Sequence, residues 1–208
     1  LKNKFIINRT KNNNYELKGS FLNFDPIITS LLESKDDQQL NIFKENIKIS
    51  LNVSDVYLDN NNVIKNLRGK LQIIDNKVDQ ADISALFDNN KNITFSINTK
   101  DDEKITTLFS SKAKPLVKRY KFIKGFEDSN EGYLDFYSSK KNGISNSKVI
   151  IDSFKVKEIC GLAKILALAS LQGIADLLTG EGIRFTDFEM NFTNENKLMT
   201  IQELYAIG

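Results

Sequence analysis

The chain has 208 residues, 40% of them hydrophobic and 27% charged, with a formal net charge of +2. That length suffices to bury a core, that composition excludes a disordered chain, and so balanced a charge makes no electrostatic case for nucleic-acid binding. There is no histidine and a single cysteine, which excludes a Ser-His-Asp triad, histidine-based metal sites, structural zinc and internal disulfides.

The first residues, "LKNKFIINRTKNNNYELKG", contain no apolar core of a signal peptide. The chain opens on Leu1 and closes on "IQELYAIG", just past a strand-like run, so it is expected to be a segment of a longer protein. Two prolines and ten glycines are too few to make the turns. Asn and Asp take that role, because both tolerate left-handed backbone and bond to neighbouring peptide groups. They cluster at 11–14, 59–62, 75–76, 88–92, 98–102, 140–143 and 193–197. The first interval that breaks the strand pattern is "DPIITSLLES", where Asp25 caps, Pro26 fits the first turn, and Ile27, Ile28, Leu31 and Leu32 have helical spacing.

Between the turn clusters lie short β-rich runs: "IKISLNVSDVYL", "LRGKLQII", "DISALF", "NITFSI", "GYLDFY", "SKVIIDSFKV", "IRFTDFEMNF" and "LMTIQEL". Several alternate strictly. Ile47, Ile49, Leu51 and Val53 share one face and Lys48, Ser50 and Asn52 the other. Ile93, Phe95 and Ile97 do the same, as do Leu134 with Phe136 and Ile183 with Phe185; Leu71 and Ile73 continue the set. This period predicts an antiparallel meander with one apolar and one wet face.

The run "KAKPLVKRYKFIKG" carries Lys112, Lys114, Lys118, Arg119, Lys121 and Lys124 and opens a short helix at Pro115. Its cations suit phosphates, but acids at Glu127, Asp128 and Glu131 follow at once, and a solvated helix face accounts for them better. Asp101, Asp102 and Glu103 lack calcium-loop spacing and read as a hairpin tip.

A long apolar helix is expected over 157–180. Lys157, Glu158, Lys164, Gln172 and Asp176 fall on one stripe, and Leu162, Leu166, Leu171, Ile174 and Leu178 fill the rest. Six Leu and three Ile contribute roughly −4 kcal/mol towards bilayer insertion, against up to about +3 each for Lys164 and Asp176, so it reads as a buried helix rather than a span. Cys160 lies among Ile159, Leu162 and Ala163 and reads as an inert thiol. "GEGIRF" follows the helix and precedes a strand, the reverse of the order a phosphate cradle needs; Gly180 as a C-cap explains it.

Residues 152–208 resemble the C-terminal region of bacterial AsmA-like proteins of the YhdP–TamB type. The run is carried by Leu162, Ala163, Leu166, Ala169, Ser170, Leu171, Gly173, Asp176, Leu178, Gly180, Glu181, Gly182, Ile183 and Phe185. A looser likeness covers "VSDVYLDNNNVIKNLRGKL" and "SNEGYLDFYSSKKNGISNSKVIIDSFKV", with Glu131-Gly132 standing where the family often has Gly-Gly.

What the resemblance implies is a mainly β protein whose meander curls into an open trough. Its apolar inner face shields phospholipid acyl chains in the periplasm, and an inner-membrane anchor lies outside this segment. It brings no catalytic residue, cofactor or metal. The expected organisation is one segment: a meander with short helices over 1–156, the apolar helix over 157–180 and returning strands over 183–208. The groove candidates are Ile47, Ile49, Leu51, Val53, Leu71, Ile73, Ile93, Phe95, Ile97, Leu134 and Phe136. The alternative is a scaffold whose apolar face is filled by its own helices.

Overall fold

A computed structural model of the chain describes residues 3–25, 45–117, 126–156, 183–196 and 198–207. Eleven strands are hydrogen-bonded in sequence order: β1 (Lys4–Arg9), β2 (Asn14–Asn23), β3 (Ile47–Tyr57), β4 (Val63–Ile74), β5 (Lys77–Leu86), β6 (Asn92–Lys100), β7 (Glu103–Ser110), β8 (Phe126–Lys141), β9 (Ile144–Val156), β10 (Ile183–Glu195) and β11 (Leu198–Ile207). The only other elements among the described residues are a 3₁₀ turn (Asp88–Asn90) and a short helix, α1 (Lys114–Val117). The mainly β reading is therefore right. The expected long helix over 157–180 lies outside the described residues, as does the helix of "DPIITSLLES" beyond Asp25, which is itself helical.

The turn clusters sit where Asn and Asp place them. Left-handed backbone occurs at Asn12, Asn13, Asp75, Asn76, Asn90, Asp101, Asp102, Asn142 and Asn196, each within a cluster. The two-residue turns Asp75-Asn76, Asp101-Asp102 and Asn142-Gly143 have positive φ at both central positions, the geometry that matches the twist of a tight hairpin. At 59–62 the device differs: the Asp59 carboxylate accepts from the backbone N–H of Asn61 and Asn62, at 2.8 and 2.9 Å.

One correction concerns direction. β2 pairs with β3 in parallel, while the other described pairings are antiparallel. The connection between them runs from Phe24 to Asn46, long enough for the crossover that parallel strands need and far longer than a hairpin turn.

The chain divides into two compact units. The first comprises Leu1–Leu108 with Ser139–Gly143, and its core is built from Ile47, Val53, Val56, Leu58, Ile64, Ile73, Ala81, Ala85, Phe87 and Ile93, each at most 9% exposed. The second comprises Phe109–Ser138 with Ile144–Gly208, and buries Ala113, Val117, Leu134, Ile151, Phe154, Phe185 and Met190. Phe154 stacks on Phe185 at 5.0 Å and meets Phe188 edge-on at 6.1 Å.

Each unit breaks strict alternation at one left-handed residue. Asn66 (φ 55°) accompanies a register shift between Lys65 and Arg68, and Ile64 and Leu67, three apart, both turn away from water. Ser153 (φ 55°) does the same for Ile151 and Phe154, buried at 1% and 3%. One residue of unusual backbone moves the next side chain to the other face, which a pure period-two count does not capture.

A candidate apolar binding face

Register turns the alternating runs of the first unit into rows that cross the strands. One row runs Tyr15, Ile49, Leu71, Ala81, Ile97, and the next Ile7, Leu17, Leu51, Gly69, Ile83, Phe95. A third joins Phe5, Gly19, Val53 and Leu67, with Ala85 and Ile93 beyond the Asn66 bulge. Across β2 to β6 the opposite face is polar: Asn14, Lys48, Gln72, Gln80, Asn98; then Glu16, Ser50, Lys70, Asp82, Ser96; then Lys18, Asn52, Arg68, Ser84, Thr94; on β1 the separation loosens, with Arg9 opposite Tyr15 and Ile6 opposite Lys18. Directly opposed residues share a face, so each row is a chain of cross-strand contacts.

Gly69 sits in the middle of the second row. A Cβ there would lie 2.8 Å from Ile83 Cα and closer still to the Asp82 carbonyl oxygen, so only glycine lets β4 and β5 approach at that point.

Nine of the groove candidates thus lie together: Ile47, Ile49, Leu51, Val53, Leu71, Ile73, Ile93, Phe95 and Ile97. Their exposure is graded. Val53 is fully buried, and Ile47 and Ile73 are nearly so, whereas Ile49, Leu51, Leu71, Phe95 and Ile97 are half-buried. Towards β1 the face opens, with Phe5 37% and Ile7 56% exposed.

Leu134 and Phe136 belong to β8 in the second unit, the first buried and the second half-buried, with Tyr133 and Tyr137 exposed beside them. Of the residues that carry the resemblance, Phe185 is on β10, buried against Phe154. Leu162, Ala169, Ser170, Gly173, Asp176, Gly180, Glu181 and Gly182 lie outside the described residues.

Residue counting missed part of this face. Phe5, Ile7 and Leu17 come from two strands absent from the sequence reading, although "KFIINR" and "YELKG" carry the same alternation. β7, "EKITTLFS", begins inside the acidic cluster that reads as a hairpin tip, which hides its strand character in the sequence.

The polar face has its own geometry. An open depression of about 720 Å³ crosses it beside Glu16, Lys48, Lys70 and Asp82. Lys48 on β3 and Lys70 on β4 stand there between Glu16 on β2 and Asp82 on β5, so the charges balance. Elsewhere Lys65 Nζ lies 3.0 Å from Asp88, whose hydrogen bond holds the ammonium above its ordinary pKa. Among the described residues no group of three or more Cys, Asp or Glu could hold a metal ion. Among them, too, no helix is long and apolar enough to cross a membrane.

The fold and the face define an open, mostly antiparallel sheet with an amphipathic first unit. No protein family, curated protein or solved structure matches the chain.

Proposed function

We propose that this chain is a non-enzymatic, lipid-shielding segment of an envelope protein of the AsmA-like type. In this reading the sheet curls into an open trough with its apolar rows on the inside. The resemblance of residues 152–208 supplies the class. The observation that supports the activity is the set of three apolar rows across β2 to β6, backed by three polar rows. A face so one-sided needs a cover, and acyl chains provide one without directional bonds, at about 0.8 kcal/mol per buried CH₂. In the full-length protein such a segment would lie in the periplasm, anchored to the inner membrane from outside this region. It would support phospholipid movement towards the outer membrane and the integrity of the envelope.

Photo-crosslinking side chains placed at Ile49, Phe95 and Phe136 are expected to capture phospholipid from cells or vesicles. Capture only from polar-face positions such as Lys48 and Ser84 would sink the reading.

A scaffold that binds no lipid is the second reading, favoured by the complete burial of Val53 and near-complete burial of Ile73 within the chain itself. Native mass spectrometry separates the two. Lipid retained through purification supports the first; a compact protein that never carries lipid supports the second.

A further inference from the structure

An asparagine can become a carboxylate without an enzyme. The backbone nitrogen of the next residue attacks the side-chain carbonyl carbon, loses its proton, and expels the carboxamide nitrogen as ammonia. Water then opens the cyclic imide, leaving aspartate or, with the main chain rerouted through the side chain, isoaspartate. The first step needs an N–H that is outside a hydrogen-bonded ladder, a following residue with no side chain in the way, and a backbone able to turn.

Many asparagines of this chain sit at turns, but one meets all three needs. Asn12, Asn13, Asn76, Asn90 and Asn196 have left-handed backbone, and each is followed by another asparagine or by a lysine. Asn142 alone in the sequence is followed by glycine. Asn142 and Gly143 are exposed and form the turn between β8 and β9, outside both strands. A Cβ on Gly143 would meet nothing within 4 Å, so the space around the attacking nitrogen is open. Glycine also lets the backbone leave the turn geometry at little cost.

Four residues on, Asn146-Ser147 again pairs an asparagine with a small residue, but inside a strand. β9 lies between β8 and β10, so its N–H groups are engaged on both sides. Asn146 stands opposite Thr193 and Ser147 opposite Phe192. Ser147 is 7% exposed, and its hydroxyl donates to Ser138 Oγ at 2.9 Å.

We propose that Asn142 is a site of spontaneous deamidation, and that the fold confines the reaction to it while sparing Asn146. The product places a new carboxylate directly after Lys140 and Lys141. This goes beyond the lipid reading and does not depend on it.

The test incubates the folded chain in mildly alkaline heavy-oxygen water, so that every imide opened during the incubation is labelled. Tryptic cleavage after Lys141 and Lys148 puts both asparagines in one peptide, 142–148, and tandem mass spectrometry locates the label within it. In the folded chain, label is expected at residue 142 at least about tenfold faster than at 146, because Asn146 reacts only when β9 opens locally. In the urea-unfolded chain the label at 146 is expected to rise and the ratio to narrow. Asn142→Asp is expected to abolish the faster label. A folded chain that gains none at 142 while the unfolded chain does overturns the proposal, and so do equal rates at the two positions in the folded state. A rate at 146 that unfolding leaves unchanged removes the role given to the fold and is equally fatal.

Discussion

Asp152 and Asp187 stand directly opposite one another on β9 and β10, and Asp135 adds a third carboxylate to their surroundings. Partial burial, then the charge of Asp187, then that of Asp135 push the Asp152 carboxyl above its ordinary pKa of 3.8. A carboxyl raised in the folded state holds its proton longer there than in the unfolded chain. Its contribution therefore favours the fold below 3.8 and is lost as pH rises from that value through the raised one. Asp187→Asn removes the opposing charge. It is expected to raise the melting temperature at neutral pH, with the gain shrinking towards zero below 3.8; a pH-independent gain would assign the effect to packing instead. By contrast Glu189, on the same strand, accepts hydrogen bonds from Lys148 at 2.7 Å and Asn191 at 3.1 Å, which hold its carboxyl below the usual range. Sequence shows all these acids as ordinary surface residues. Only the register says that one has a cation beside it and another a second carboxylate.

Turns and strands were the most legible elements, and for a local reason. Asn and Asp at φ near +50° to +60° are among the few L-residues that enter that region cheaply, so a cluster of them marks a turn without help from the rest of the fold. Asp101-Asp102 is a case where the local choice is not the best one, since two like charges share a hairpin tip and both residues have positive φ. Asp102→Gly relieves both and is expected to stabilise the chain by about 0.5–1 kcal/mol in urea denaturation. A loss of stability would mean that the Asp102 side chain supports the turn. The parallel pairing of β2 with β3 was not legible, because direction depends on what a long connection does rather than on the strand residues. The flips at Asn66 and Ser153 were not legible either: a serine inside "VIIDSFKV" looks like one more alternating position until its backbone is seen.

Among the described residues, burial is shallowest on β1 and β11. β1 is exposed along its full length and β11 along most of it, while β3, β4, β5, β9 and β10 carry most of the core. Amide hydrogen exchange is expected to follow that order, with β1 and β11 exchanging fastest and the β3–β5 and β9–β10 pairings slowest. Protection of β1 equal to that of β4 in dilute, monomeric protein would contradict it. The amphipathic character of the sheet was determined by sequence alone, because alternation of Ile, Leu and Phe with Lys, Ser and Asn leaves each strand only one face to bury. Tertiary structure decided which strands stand side by side, and therefore that Ile49, Leu71 and Ile97 form one row with Tyr15 and Ala81 between and beside them. It also decided that Asp152 meets Asp187 and that the strands stand in sequence order from β1 to β11. Those facts depend on register and order, which arise from pairings between residues distant in the chain, and no local pattern encodes them.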